Sequence, residues 1–180
     1  THAGPEIGVA ATKTFATQMV SQYLVALYLA QVRGTKFPEE IAEVLAELDE
    51  LPGKVDRAIG LDAQVREIAE RYRDARDVLF IGRHVGYPVA LEGALKLKEI
   101  SYIHAEGYHA AELKHGPIAL LQKGTPVIAI ACDIPGKDKT LGNIEECRAR
   151  GAHILGLVTE GDHEAAECMD DYITVPRCHP

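Results

Sequence analysis

The chain has 180 residues, of which 47% are hydrophobic and 26% charged, a composition typical of globular domains and a length sufficient for one full hydrophobic core. Its formal net charge of −8 argues against a nucleic-acid-binding surface, which would need an excess of Lys and Arg. No apolar run is long enough to cross a bilayer, so we expect no membrane span.

Cysteine usage and the start of the chain add two expectations. The cysteines form no Cys-x-x-Cys pair, which argues against a zinc knuckle or a thioredoxin-like site and favours a reduced, cytoplasmic setting. They are Cys132, Cys147, Cys168 and Cys178. The chain begins at Thr1 without a Met, from which we expect a fragment of a longer protein.

The first 58 or so residues are predicted to be helical without a strand. Apolar residues at helical spacing predict a long buried helix over about residues 12–33, ended by Gly34. A second helix is expected to begin at Pro38 and to be broken at Pro52-Gly53. We interpret residues 1–58 as the helical end of one domain plus a linker.

From residue 59 onward, short apolar strands alternate with helices. The expected elements are a helix near 62–73, a strand at 77–82, helices near 87–102 and 109–115, a strand at 126–132, a helix near 139–150, and strands at 153–158 and 171–175. Such alternation predicts parallel βαβ units. We therefore expect an α/β domain over residues 59–180, with a doubly wound parallel sheet flanked by helices and a further helix missing after Pro180.

The first candidate binding loop is Gly82-Arg83-His84-Val85-Gly86, which follows the first predicted strand. Open α/β sheets bind ligands at the carboxyl ends of their strands. Glycines allow close approach of the backbone, and the start of the next helix favours an anion. The loop is not a G-x-G-x-x-G fingerprint, so a dinucleotide is not indicated. A plain tight turn is the alternative interpretation.

The second candidate is the charged row Glu92, Lys96 and Glu99, whose spacing places all three side chains on one helix face. A solvated row of ion pairs is the ordinary interpretation. Apolar residues around much of the rest of the helix predict that it is largely buried instead. A carboxylate held beside a lysine is suited to moving a proton between adjacent carbons of a sugar.

Two further stretches carry candidate residues. If helical, His109, Glu112 and His115 lie near one face, which raises the possibility of a zinc or iron site with only three ligands. His115 stands before Gly116-Pro117, where it could exchange protons near neutral pH or simply stabilise a helix end. Thr12 is a candidate N-cap, and the backbone amides after it could hold a hydroxyl or a phosphate.

Three sequence motifs together resemble the isomerase half of the glutamine–fructose-6-phosphate aminotransferase family, also called glucosamine-6-phosphate synthases. The motifs are GPEIGVAATKTF, GRHVGYPVALEGALKLKEISYIHAE and ELKHGPIAL, in the family's order and at compatible spacing. The resemblance covers essentially the whole chain. It implies a SIS (sugar isomerase) fold, with residues 1–58 ending a first SIS domain and residues 59–180 forming a second one truncated at its C-terminus.

The resemblance also implies an activity: conversion of fructose 6-phosphate and ammonia to glucosamine 6-phosphate, with no metal or organic cofactor. The ammonia would come from glutamine through a glutaminase domain elsewhere in the full-length chain. By motif match, Glu99 would move a proton between C1 and C2, and Lys96 would steady charge on the substrate oxygens. His115 would open the sugar ring in the site of a partner subunit, which implies a homodimer.

The same match places Val9, Ala11 and Thr12 at the sugar pocket. The sequence departs from the family pattern at Ala11, where Ser is usual, and at Ala111, where Gly is usual. The family's phosphate loop would precede Thr1 and its catalytic lysine would follow Pro180, so we expect this stretch alone to be inactive. The alternatives are a SIS-fold isomerase or deglycase without a glutaminase, and a sugar-phosphate sensor, although no DNA-binding helix-turn-helix is visible.

Overall fold

Two long helices make up most of the first part of the chain in the computed structural model, which describes residues 1–178. Helix α1 spans Lys13–Val32 and helix α2 spans Pro38–Ile59. Gly34 adopts a left-handed backbone (φ 64°), and the Thr35 amide bonds back to the Ala30 carbonyl, which closes α1 as the sequence predicts. The chain forms two compact units, residues 1–55 and 56–178.

The predictions for these two helices were wrong in two respects. Helix α1 was expected to be buried, but Leu27 is its one buried residue, and Tyr28 and Val32 are each 65% exposed. A helix that is apolar all round needs neighbours on every side, and this stretch of chain does not supply them. Helix α2 is not broken at Pro52 but continues through it.

Ion pairs span the proline in α2. Lys54 Nζ lies 2.8 Å from Glu47 Oε2 and 3.2 Å from Glu50 Oε2, so one ammonium joins the turns before and after Pro52. A proline inside a helix removes one backbone hydrogen bond and costs about 3 kcal/mol. Ion pairs with largely exposed glutamates contribute little stability each, so these two offset only part of that cost.

Residues 56–178 contain a five-stranded, fully parallel sheet in the order β2-β1-β3-β4-β5. After α3 (Asp62–Tyr72), strands and α-helices follow one another along the chain. They are β1 Asp77–Gly82, α4 Gly86–Ser101, β2 His104–His109, β3 Pro126–Ala131, α5 Lys137–Arg148, β4 His153–Thr159, α6 His163–Glu167 and β5 Asp171–Val175. Short 3₁₀ helices at Ala110–His115 and Pro117–Leu120 join β2 to β3. The predicted doubly wound α/β fold is confirmed.

Three local predictions were incomplete. Strand β2 was missed because His104–His109 contains no β-branched residue and pairs on one side only, with β1. The helix expected near residues 109–115 is a 3₁₀ helix over Ala110–His115 rather than an α-helix. Helix α6 was also missed, since five residues are too few to show helical periodicity.

Alternate residues of β1 face two different hydrophobic clusters, as the pleat requires. Leu79 and Ile81 belong to the cluster that includes Leu113 and the apolar residues of α5. Val78 and Phe80 belong to the cluster that includes Ala90 and Ala94 of α4. The sheet is therefore covered on both faces, with α4 on one side and α5 on the other.

Glycines bring α4 unusually close to the sheet. A Cβ atom added at Gly107 of β2 would lie 2.8 Å from the Leu91 Cα, and one at Gly82 would lie 2.3 Å from the Gly86 carbonyl oxygen. Side chains larger than hydrogen do not fit at these distances. The backbones of β1, β2 and α4 therefore fix one another, and with them the orientation of the charged row on α4. Within residues 1–178, no helix has both the length and the apolar character of a membrane span.

Candidate functional site

The charged row on α4 is assembled as the spacing predicts. Lys96 Nζ lies 2.8 Å from Glu99 Oε2 and 3.3 Å from Glu92 Oε1, so one ammonium is held between two carboxylates. The three side chains are 21% to 31% exposed, which is less than most surface ion pairs of this chain. The row is therefore a partly enclosed cluster of charge rather than a fully solvated helix face.

The environment of the row differs from the prediction in one respect. Helix α4 is buried along the stripe Gly86, Ala90 and Ala94, which packs on the sheet. Leu95 is 40% and Ile100 is 67% exposed, so apolar residues do not enclose most of the helix. The expectation of a largely buried helix was wrong because the sheet covers only one side of α4.

Hydrogen bonding sets the protonation of the central lysine. The hydrogen bond to Glu99, and after it the one to Glu92, raises the pKa of Lys96 above its ordinary value. The side chain is therefore a cation at neutral pH, held between the two glutamates. A carboxylate beside a fixed ammonium can accept a proton from a carbon acid whose developing negative charge the ammonium stabilises.

His115 is the last residue of the 3₁₀ helix Ala110–His115 and is exposed. Leu113, 1% exposed, and Ala110, 0% exposed, anchor this turn in the core. Within residues 1–178, the His115 side chain makes no hydrogen bond or ion pair. The backbone of this turn is therefore fixed, while the His115 imidazole is exposed. The imidazole forms no hydrogen bond with Lys96 or Glu99.

The metal-site alternative finds no support in the geometry. The His109 side chain caps the following turn, because its Nδ1 accepts a hydrogen bond from the Ala111 amide. Its ring packs edge-on against the Tyr87 ring, with 5.5 Å between the ring centroids. No group of three or more His, Cys, Asp or Glu side chains that could hold a metal ion occurs in the part of the chain that the structure describes. His109, Glu112 and His115 thus do not converge on one point.

The candidate sugar-pocket residues lie at the start of α1, in the first unit. Val9 is 91% exposed and Ala11 is partly exposed. Thr12 occupies the N-cap position, as predicted, but its side chain makes no capping hydrogen bond. The assignment of these three residues to a sugar pocket stays a prediction.

Glu6 supplies the cap that Thr12 does not. Its Oε2 accepts hydrogen bonds from the Thr14 amide at 3.2 Å and the Thr14 hydroxyl at 2.7 Å. The bond from the hydroxyl is the main cause of the lowered pKa of Glu6. The sequence signal that could have found it is a carboxylate a few residues before the positive end of a helix.

Comparisons with known proteins match the chain to one domain family. The model of the SIS domain family matches residues 71–176. Glutamine–fructose-6-phosphate aminotransferase (isomerizing) of Streptomyces coelicolor is 51% identical over 180 residues, 98% of this chain and 29% of that protein. The enzyme of the same name from Thermus thermophilus is 49% identical over 179 residues, 99% of this chain and 30% of that protein. The chain thus spans less than a third of the length of these relatives.

Solved structures give the same result. The C-terminal domain of glucosamine-fructose-6-phosphate aminotransferase from Francisella tularensis superposes with a TM-score of 0.95 at 40% identity, over 99% of this chain and 51% of that chain. Glucosamine-6-phosphate deaminase from Thermotoga maritima superposes with a TM-score of 0.64 at 24% identity, over 96% of this chain and 47% of that chain. The second likeness bears on the fold alone.

Proposed function

Since the chain belongs to the SIS domain family, we propose that it is part of the isomerase region of a glutamine–fructose-6-phosphate aminotransferase. The proposed reaction converts fructose 6-phosphate and ammonia to glucosamine 6-phosphate. The observation that carries the proposal is the row Glu92, Lys96 and Glu99, in which the Lys96 ammonium lies 2.8 Å from the Glu99 carboxylate. Relatives of this name at about half identity support the choice of reaction.

In the proposed mechanism, Glu99 carries the proton between C1 and C2 of the open-chain sugar. Such a transfer leaves negative charge on the substrate oxygens while the proton is on the base. Lys96 is placed to stabilise that charge, because its ammonium already contacts Glu99. Glu92 holds the other side of the ammonium at 3.3 Å and so fixes its position.

His115 is proposed to open the sugar ring in the site of a partner subunit. Its support is the exposed imidazole on an anchored turn, which makes no hydrogen bond or ion pair within residues 1–178. A residue that acts in trans requires an assembly, so the proposal includes a homodimer. It also includes a sugar pocket to which Val9, Ala11 and Thr12 contribute.

The domain assignment is part of the same proposal. Residues 1–58 would be the helical end of a first SIS domain plus a linker, and residues 59–180 a second SIS domain. The boundary between compact units after residue 55 supports this division, as does the start of the family match at residue 71. The full-length protein would add a glutaminase domain and work in the cytoplasm.

The test is glucosamine 6-phosphate formation by the full-length protein that contains this chain, supplied with fructose 6-phosphate and either glutamine or ammonium. The proposal expects product from both nitrogen sources. Product from ammonium alone would contradict the glutaminase part. If neither source gave product while fructose 6-phosphate still bound, the chain would belong to a sensor and the proposed reaction would be wrong.

A further inference from the structure

Two cysteines lie just beyond the ends of strands β3 and β5, on either side of β4. Cys132 directly follows β3, and Cys178 lies three residues after β5. Residue 132 continues β3 in register opposite Thr159, which pairs with Val175, the last residue of β5. Because adjacent strands lie about 4.8 Å apart, about 10 Å separates the backbones on the two sides of β4.

The Cys132 side chain is directed toward β4. Its Sγ donates a hydrogen bond of 3.6 Å to the Leu157 carbonyl oxygen, and the Asp133 amide donates one of 2.8 Å to the Thr159 Oγ1. Both partners belong to β4, and Thr159 is 4% exposed. Cys132 is therefore fixed on the side of β3 that faces β5.

The segment after β5 reaches back toward the same place. Residues 176–178 form no helix or strand, and Arg177 forms an ion pair with Asp133. This ion pair joins the residue after Cys132 to the residue before Cys178. It therefore holds the segment over the end of β4, on the side where the Cys132 thiol lies.

The two thiols are close enough for one to affect the titration of the other. Burial is the main cause of the raised pKa of Cys132, and the Cys178 thiol raises this pKa further. The other two thiols have different surroundings. Cys147 is 0% exposed, and the charged side chains that alter the pKa of Cys168 lie on α5 and α6.

The mobility required for a covalent link lies on one side only. A disulfide needs Cα atoms about 4.4–6.8 Å apart. Cys178 can approach to this separation because its segment belongs to no helix or strand, whereas Cys132 is held at the end of β3. We propose that Cys132 and Cys178 are a redox-active pair, which a small disulfide such as oxidised glutathione converts to a reversible intramolecular disulfide.

The reaction starts at the exposed thiol. The Cys178 thiolate attacks oxidised glutathione, so a Cys178–glutathione bond forms, the glutathione S–S bond breaks and one glutathione thiolate leaves. The Cys132 thiolate then attacks the Cys178 sulfur, forms the protein disulfide and releases the second glutathione. Two protein thiols are thereby oxidised, one glutathione disulfide is reduced, and the two thiol protons pass to the two glutathiones. Disulfides formed and reversed in this way are typical of redox sensing in reducing compartments.

The pair is tested on the native full-length protein that contains this chain, incubated with oxidised glutathione. Free thiols are then blocked with iodoacetamide, and the protein is digested without reduction for peptide mass spectrometry. We expect a cross-linked peptide pair that contains Cys132 and Cys178 and disappears on treatment with excess reduced glutathione. Cys147 and Cys168 serve as internal controls and are expected to stay unlinked.

Single substitutions separate the two steps. In Cys132→Ser the second step is blocked, so Cys178 is expected to accumulate as its mixed disulfide with glutathione. In Cys178→Ser the cross-link is lost, and Cys132 is expected to stay reduced because it is partly buried. Cys168→Ser is the matched control, since this thiol is also partly exposed, and it is expected to form the cross-link at the wild-type rate.

A fourth variant checks the ion pair. Asp133→Asn keeps the shape of the side chain but removes its charge, so the contact with Arg177 is weakened and the cross-link is expected to form severalfold more slowly. Labelling of Cys178 by iodoacetamide is expected to be unchanged in this variant. An unchanged rate of cross-linking would show that the ion pair does not bring the thiols together and would remove the geometric basis of the proposal.

Two results in the wild type overturn the proposal. One is the absence of the cross-link from the native protein, whether Cys178 then carries glutathione or stays reduced. The other is an equal mixture of disulfides from the native protein and from protein unfolded in urea, since the pairing would then not depend on the fold. None of these outcomes depends on product formation, so failure here is distinguishable from failure of the proposed reaction.

Discussion

Substitution of Gly107 by Ala tests whether close backbone contact positions the charged row. A Cβ at this position would lie 2.8 Å from the Leu91 Cα and 2.9 Å from the Leu91 nitrogen, both backbone atoms that cannot rotate away. Strand β2 or helix α4 must therefore shift. Overpacking of this kind costs about 1–3 kcal/mol, which corresponds to roughly a 5- to 150-fold change in a local opening equilibrium.

Amide hydrogen exchange of the full-length protein is the appropriate assay, because it reports stability element by element. In the Gly107→Ala variant, amides of β2 and of the adjacent turns of α4 are expected to exchange faster by that factor. Gly142→Ala is the matched control. Gly142 is exposed in α5 with no atom within 4 Å of an added Cβ. Since Ala is the better helix former, this control is expected to stabilise α5 by about 0.5–1 kcal/mol.

If the amides of β2 and α4 exchanged in Gly107→Ala as they do in the wild type, the close backbone contact would not be what positions the charged row. A similar loosening of α5 in Gly142→Ala would also contradict the prediction, since crowded and open glycines would then respond alike.

Two further predictions concern titration and thiol reactivity. The hydrogen bond from Lys137 lowers the pKa of Asp162, so the carboxylate contributes stability that is present above its unfolded pKa and is lost as the pH falls through the lower folded value. The protection of the α6 amides against hydrogen exchange, relative to an unfolded peptide at the same pH, is therefore expected to fall below about pH 4 in the wild type. The Asp162→Asn variant is expected to lose this pH dependence, and an identical pH profile in both proteins would contradict the assignment. Burial raises the pKa of Cys147 to about 12, so this thiol is expected to resist iodoacetamide at pH 8 while the exposed Cys178 reacts; rapid labelling of Cys147 in the native protein would show that its burial is wrong.

The strongly apolar parts of the fold were predictable from the sequence. Strands β1 and β3 are runs of buried residues between turn signals, and the pattern placed them within a residue of their observed ends. Strand β2 could not be found this way. Its residues become a strand because β1 offers a parallel partner, and tertiary context overrides a weak local preference.

The same distinction applies to the candidate site. The spacing of Glu92, Lys96 and Glu99 is local information, so the ion-paired row on α4 could be predicted and is confirmed as a structural feature. The exposure of Leu95 and of helix α1 could not be predicted. An apolar helix surface indicates that another surface covers it, but it does not indicate which part of a chain provides that surface. The hydrogen bond from Arg83 to Asn143 joins residues 60 positions apart, so no local sequence pattern could have predicted it.

The proposed role of Glu99 as the proton carrier is tested by measuring the turnover of Glu99→Gln in the full-length protein with fructose 6-phosphate and ammonium. Glutamine keeps the shape of the side chain but cannot accept the proton. We expect kcat to fall about 10²- to 10⁴-fold while the Kd for fructose 6-phosphate stays within a few-fold of the wild type. Glu145→Gln, which removes an exposed glutamate paired with Arg148 on α5, is expected to leave both unchanged. Near-normal turnover of Glu99→Gln would show that Glu99 does not carry the proton.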